Sequence, residues 1–299
     1  MSKYLMGTMV EATIVHPNMD VAQAGLLAAF QEMERVEALL GRDREGSDID
    51  RVNDAPTGEP VFVSEETYLI LERARGYGER LDGLFDITSL PAVNLWGLGE
   101  VEITRAPDSA DVLAVQRLID YRQIALDPVA RTVSLSKPGM SVDLGGIAKG
   151  YAVDRGAAVL ASHGITDFLI NAGGDLFASG VREANQPWRV GIQHPRDPSG
   201  LIVRLEMTDG AVATSGDYER FVELDGVRYP HIIDPRTARP ATARQSASAV
   251  AATAEEADVL ATYLFISGSL DIPGAAMIVA ADGTVKINGA GQDLFEVIR

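Results

Sequence analysis

From Phe168 onward the chain is a succession of short apolar segments cut by tight turns: "FLINAGG", "WRVGIQ", "LIVRLEM", "AVATS", "RFVEL", "RYPHII", "SASAVAA", "AAMIVAA" and "TVKIN". Two of these turns are Asp-Gly pairs, Asp225-Gly226 and Asp282-Gly283, the dipeptide that supplies the positive φ angles of a two-residue hairpin. Chains built this way pair neighbouring strands antiparallel. Upstream, "TMVEATIV", "QIALD" and "TVSLS" add strands, and helices alternate with them irregularly. The pattern predicts an α+β fold with a largely antiparallel sheet and packed helices, not a doubly wound βαβ array. No linker-like stretch interrupts it, so residues 1–299 are expected to form one domain, or two intimate subdomains.

Helix signals are local. Asp20 with Gln23 three residues later reads as a capping box opening a long helix that stops before Gly41. Ser64, followed by Glu65 and Glu66, opens a second. A third is expected over Ser109–Asp120, and a fourth runs from Lys149 to Ser162 and stops at Gly164. Thr253 and Glu256 form a T-x-x-E box, which predicts a helix over Ala254–Ser267.

Charge excludes several partners. The 43 acidic against 26 basic residues give a net charge of −17, which argues against nucleic acid, whose backbone is met by clustered Lys and Arg. The same excess disfavours anionic membrane surfaces. Cysteine is absent, which removes disulfides, thiolate metal sites and a Cys nucleophile. No run approaches the about 20 apolar residues of a spanning helix. The N-terminus "MSKYLMGTMVEATI" has neither signal-peptide h-region nor lipobox, so a cytoplasmic protein is expected, or a periplasmic one if the chain has been trimmed.

Four segments carry chemistry. In "SVDLGGIAKGYAVDR", Asp143 precedes the adjacent glycines Gly145 and Gly146, which allow positive φ and close backbone approach. A helix follows, and its free N–H groups with Lys149 make an anion site. The plain alternative is a tight turn capped by Asp143 with a solvated Lys149. In "TAEEADVLATYLFISG", Asp258 and Thr262 are four apart and share a helix face among apolar neighbours. Such a carboxylate and hydroxyl form a hard-oxygen pair for Mg2+, or else serve the helix itself through its dipole and a back-bonded hydroxyl. In "VATSGDYERFVELDGVRYPHIIDPRT", His231 sits in a strand beside an Asp-Pro turn, where it can move a proton near neutral pH or be merely structural. In "LFDITSLPAVNLWGLGE", an extended, kinked segment carries Trp96 and Gly97, a platform for an aromatic ligand or a core plug.

Taken in order, "MGT", "FDIT…P…VNLWGLG", "VDLGGIAKGYAVD", "NAGGDLFASG", "ATSGDY", "HIIDPRT" and "ADVLAT" make the chain resemble the ApbE-type flavin transferases from Met6 to about Gly268. The resemblance implies an ApbE-like, T-fold-related architecture with FAD in a cleft between subdomains. It implies Mg2+-dependent transfer of FMN from FAD to a Thr or Ser hydroxyl of an acceptor flavoprotein, with release of AMP. Met6, Trp96, Gly97, Asp143, Lys149 and Ile233 match family positions around FAD. Asp258 and Thr262 match the metal ligands, with the backbone carbonyl of Gly146 as the third. His231 matches the histidine that activates the acceptor hydroxyl, and Asp143 is left to bind the flavin or to fix the loop.

There are departures. Ala238 stands where the family usually has glycine, so an altered turn is expected. Leu90 replaces a glycine before Pro91, and Asp43 replaces an aromatic that faces the flavin, so FAD affinity is expected to differ. The early S-x-x-S-R-x-N pattern survives as Ser47, Asp50, Arg51 and Asn53. Two other readings keep the same residues: a FAD pyrophosphatase using water as acceptor, told by free FMN without a protein acceptor, and a non-catalytic flavin carrier, against which Asp258, Thr262 and His231 count.

Overall fold

The computed structural model describes residues 1–99 and 103–298. Glu100, the last residue of the tryptophan segment, lies outside the described residues. The chain divides into two compact units: Met1–Glu37, Gly146–Gly216 and Arg244–Arg299 form one, and Ala38–Gly145 with Asp217–Ala243 the other. Seven α-helices occur among the described residues: α1 (Met19–Leu40), α2 (Asp48–Asp54), α3 (Glu65–Arg80), α4 (Leu90–Leu95), α5 (Ser109–Gln116), α6 (Ala148–Ser162) and α7 (Ala254–Ser267).

The first unit is built on eight strands in the spatial order Ser2–Leu5, Thr8–Val15, Asp167–Ala172, Asp175–Ser179, Gly210–Gly216, Arg244–Ala251, Ala276–Ala280 and Val285–Ile287. Every neighbouring pair is antiparallel, as the turn chemistry predicts. A second sheet pairs Asp197–Met207 with Trp188–His194 and with Glu296–Val297. Side chains of both sheets, among them Leu176, Val190, Val203, Met277 and Val279, share one buried cluster.

Helix ends follow their signals with two instructive shifts. The cap of α1 is Asn18 and not Asp20: Asn18 Oδ1 accepts the N–H of Asp20 at 2.9 Å and of Val21 at 3.2 Å. At α7, Thr253 Oγ1 accepts from Glu256 N at 3.2 Å, which is half of the expected box. The other first-turn donors go to a different helix. Asp154 of α6 accepts from Ala254 N at 2.8 Å and Glu255 N at 2.9 Å. One carboxylate thus caps two orphan donors, each such cap contributing about 1 kcal/mol. The helices approach closely enough that a Cβ on Gly150 would lie 2.2 Å from the Ala254 carbonyl oxygen.

The second unit holds α2 to α5 and a three-stranded sheet of Val61–Phe62, Thr132–Leu135 and Ile124–Asp127. It also holds the hairpin Phe221–Leu224/Val227–Pro230, which turns at Asp225 (φ 52°) and Gly226 (φ 75°). The tryptophan segment is not extended. Pro91 in the first turn is compatible with a helix, and α4 ends in a Schellman motif: Leu98 N bonds Val93 O at 3.0 Å and Gly97 N bonds Asn94 O at 3.1 Å, with Gly97 at φ 64°. Leu90 starts this helix, where no glycine is required, and buries its side chain with Val93, Trp96 and Ile233. α5 ends at Gln116, short of the expected Asp120, because Asp120 caps a separate 3-10 turn at Tyr121–Gln123. α2 has no counterpart among the expected helices, since seven residues are too few to show a period.

Glu32 of α1 accepts from Arg35 at 2.8 and 2.9 Å and from Arg155 of α6 at 2.9 Å. Arg35 chiefly, then Arg155, holds its carboxyl at about 2 against the opposing effect of burial, from an ordinary 4.5. A depressed folded pKa stabilises above the unfolded value and is lost as pH falls toward the folded one. Glu32→Gln should therefore cost about 0.5–1 kcal/mol at neutral pH after solvent screening. In urea titrations the gap to the parent should narrow below pH 4.5 and close near pH 2; a gap independent of pH would contradict this.

Candidate active site

In the first unit, the candidate residues gather where α6 meets α7. α6 opens after the Gly145-Gly146 turn, and its N-cap, Ile147, makes no side-chain cap bond. The N-cap side chain thus leaves the positive end of α6 uncovered, and the carboxylate that reaches its first turn, at Gly150 N, comes from α7. Neither Gly145 nor Gly146 is among the positive-φ glycines, so the turn does not need them for a left-handed backbone. The division between the two units falls between these two residues.

Lys149 is not a solvated terminal charge. Its ammonium pairs with Asp175 and lies 3.8 Å from Asp258 Oδ2. Asp258, 3% exposed, accepts from Gly150 N through Oδ2 at 3.2 Å. Burial, and next the like charge of Asp175, pushes its carboxyl up to about 8, with Lys149 pulling the other way. Thr262 follows one turn later on α7, its Oγ1 3.3 Å from Ser215 Oγ. Among the described residues no three His, Cys, Asp or Glu side chains are arranged to hold a metal. A cation here would therefore take a mixed set of carboxylate, hydroxyl and carbonyl oxygens, which suits Mg2+ and does not suit zinc.

Two hairpin turns belong to the same unit. Met6 and Gly7 join Ser2–Leu5 to Thr8–Val15 with φ of 51° and 71°. Gly173 and Gly174 join the strands that end at Ala172 and start at Asp175, with φ of 61° and 98°. A Cβ on Gly173 would lie 2.2 Å from Thr8 Oγ1, so that turn packs directly on the first hairpin. A Met at φ 51° is a strained position for a side-chain-bearing residue.

The remaining candidates, Trp96, Gly97, Asp143, His231 and Ile233, belong to the second unit. Asp143 fixes the loop: Oδ2 accepts from Arg42 Nη1 at 2.8 Å and Oδ1 from Gly145 N at 3.0 Å. The preceding peptide is clamped by Asn53, which donates to Val142 O at 2.9 Å and accepts from Val142 N at 2.7 Å. Trp96 is the core plug of the two alternatives. It is 2% exposed, donates Nε1 to Ala238 O at 2.9 Å and stacks on Tyr229 at 5.1 Å. Ile233 is buried in the same cluster. A cavity of about 550 Å3 in this unit has Arg42, Asp43, Asn53, Leu90, Asn94 and Gly99 in its wall. Two of these, Asp43 and Leu90, are departures from the family pattern.

His231 lies in a bend after the strand Val227–Pro230, not within a strand. Its Nδ1 is 3.1 Å from the Arg220 carbonyl, and its own N–H bonds the same oxygen at 2.9 Å. A carbonyl only accepts, so Nδ1 carries the hydrogen and the neutral ring keeps its lone pair on Nε2. Ala238 retains φ 53° and is fully buried, so the turn keeps its left-handed residue. Left-handed strain of roughly 1–2 kcal/mol is offset by a buried methyl worth about 0.8 kcal/mol and by lower unfolded-state entropy.

The residues with no assigned role before the fold was known are Asp154, Asp175, Arg42 and Ser215. Asp154 and Asp175 lie inside quoted motifs, but their partners are in other elements and no spacing exposes them.

Comparison with known proteins follows the same lines. A model of the ApbE family matches residues 6–283. The chain is 33% identical to FAD:protein FMN transferase of Treponema pallidum over 92% of its length and 82% of the relative's. It is 35% identical to that of Vibrio cholerae over 79% and 71%. Among solved structures, an ApbE protein from Thermotoga maritima superposes with TM-score 0.92 at 31% identity, covering 98% of both chains. Flavin transferase ApbE from Vibrio cholerae gives TM-score 0.85 at 28% identity, also over 98% of each.

Met6→Gly should relieve the strained turn and raise stability by about 1 kcal/mol, or about 2–4 °C in Tm. It should weaken FAD binding at the same time, measured by flavin fluorescence quenching. A fall in Tm would mean that the Met6 side chain serves the fold.

Proposed function

The chain belongs to the ApbE family, and we propose that it transfers FMN from FAD to a Thr or Ser hydroxyl of an acceptor flavoprotein through the residues described above. Its helices and largely antiparallel sheet are those of the flavin transferases, and its activity is that of a FAD:protein FMN transferase. The observation that carries the assignment of roles is the approach of Asp258 to the first turn of α6 through Gly150 N and Lys149. It brings a helix start suited to phosphate and a hard-oxygen pair together from positions about a hundred residues apart.

Asp258, Thr262 and the Gly146 carbonyl would hold Mg2+. When bound, the ion neutralises charge on pyrophosphate oxygens, the main requirement of phosphoryl transfer. The positive start of α6, beside the Lys149 ammonium that Asp175 and Asp258 share, would favour the diphosphate at that helix end. Asp143, held by Arg42 and bonded to Gly145 N, keeps the turn that leads into α6 in one shape. With Trp96 buried and its indole N–H spent on Ala238, its contribution to FAD falls to the backbone around Gly97. Met6 and Ile233 complete the flavin-side assignment.

His231 Nε2 takes the proton from the acceptor hydroxyl. That oxygen bonds to the FMN-side phosphorus, the P–O bond to the bridging oxygen breaks, and AMP leaves with the bridging oxygen. The fixed tautomer supports this role, because it presents the basic nitrogen and not the N–H.

His231→Ala should lower FMN transfer about 10²–10⁴-fold while leaving FAD binding within about twofold. Mass spectrometry of an acceptor after incubation with FAD and Mg2+ measures the adduct. Unchanged transfer would remove His231 from the base role, and free FMN formed at full rate without acceptor would favour hydrolysis. Chelation by EDTA should abolish turnover, and added Mg2+ should restore it.

A further inference from the structure

Asp175 has no role in the chemistry above, yet it is 1% exposed, among the most buried carboxylates of the chain. It starts the strand Asp175–Ser179, directly after the Gly173-Gly174 turn that packs on Thr8. Its Oδ2 holds the ammonium of Lys149, whose side chain is 29% exposed. The same ammonium is 3.8 Å from Oδ2 of Asp258. A lysine this close to a metal-binding carboxylate is a difficulty: its charge repels a divalent cation and its N–H groups compete for the same oxygens. Asp175, a second buried carboxylate on the same ammonium and within hydrogen-bonding reach of Asp258, resolves it. It neutralises the lysine locally and gives it a nearer partner than Asp258.

We propose that Asp175 is a positioning residue that acts on the metal site through Lys149, anchoring and neutralising the ammonium so that the Asp258 oxygens stay open to a divalent cation. The proposal rests on the reading of Asp258 as a metal ligand. It differs from two simpler roles, a direct ligand and a structural buried ion pair. A direct ligand would be missed whatever occupies position 149, and a structural pair would leave cation affinity unmoved in any variant that folds.

The test measures Mn2+ affinity by EPR in the absence of FAD, Mn2+ standing in for Mg2+ at oxygen sites. Asp175→Asn leaves Lys149 with Asp258 as its carboxylate partner in this cluster and should weaken Mn2+ binding about tenfold or more. Lys149→Met combined with Asp175→Asn replaces the ion pair by a neutral one and should bring affinity back to within about threefold of the parent. Asp175→Glu keeps the charge and should also stay within about threefold, which serves if Asp175→Asn does not fold. Parental affinity in folded Asp175→Asn, a double variant as weak as Asp175→Asn, or a tenfold loss in folded Asp175→Glu each overturns the proposal. Asp258→Asn separates the two readings. If it retains parental Mn2+ affinity, the metal-ligand reading fails and this proposal with it. If it loses affinity while the double variant is not rescued, only the role of Asp175 fails.

Discussion

The packing of the start of α7 against the start of α6 is the interaction on which the rest of the first unit's chemistry depends. A helix N-terminus is short of partners for its first N–H groups, and here a carboxylate from a neighbouring helix accepts from two of them. That bond is possible because Gly150 offers no Cβ where the Ala254 carbonyl passes. Once the helices are fixed, Asp258 is delivered one turn inside α7 to accept Gly150 N, beside Lys149. Asp154 and Gly150 are therefore structural residues whose effect is chemical. They set the position of a buried carboxylate that costs free energy to keep charged in the absence of a cation.

The second unit solves a different problem, fixing the loop that ends at Gly145 and the bend that carries His231. The S-x-x-S-R-x-N remnant does this work through hydrogen bonds. Ser47 caps α2 by accepting Asp50 N at 3.0 Å, Arg51 donates to Phe62 O at 2.9 Å, and Asn53 clamps the peptide before Asp143. Of these, Asn53 reaches the segment before the glycine turn, while Ser47 and Arg51 fix α2, which carries it. Arg42 completes it from the chain just after α1. His231 receives similar treatment, its ring and its own N–H both bonded to the Arg220 carbonyl.

Much of this was legible in the residues alone. The antiparallel sheet followed from strand spacing and Asp-Gly turns, and the helix limits at Ser64, Thr253 and Gly164 from caps with a stated mechanism. Seven ordered motifs pointed to the family and to the site residues. Several readings went astray for identifiable reasons. The tryptophan segment looked extended because Pro91 and two glycines dominate it, yet proline is tolerated in a first turn and Gly97 serves as the helix stop. The paired glycines suggested positive φ, but neither uses it. α2 was too short to register. Ala238 is a milder case, in which strain and burial nearly cancel and the turn survives a residue that disfavours it.

What the sequence by itself determined is the set of elements and the chemistry they carry: which segments pair antiparallel, where helices stop, and that a carboxylate and a hydroxyl share one face of α7. These are short-range properties, fixed by residues within about a turn or a hairpin of each other. Only the tertiary structure decided who partners whom. That Asp143 is held by Arg42, that Asp154 caps α7, that Trp96 is a core residue and that Asp175 holds Lys149 depend on contacts between residues 26 to 142 positions apart. Such pairings leave no periodic trace in the chain, because only the packing of distant elements brings the two groups within hydrogen-bonding reach.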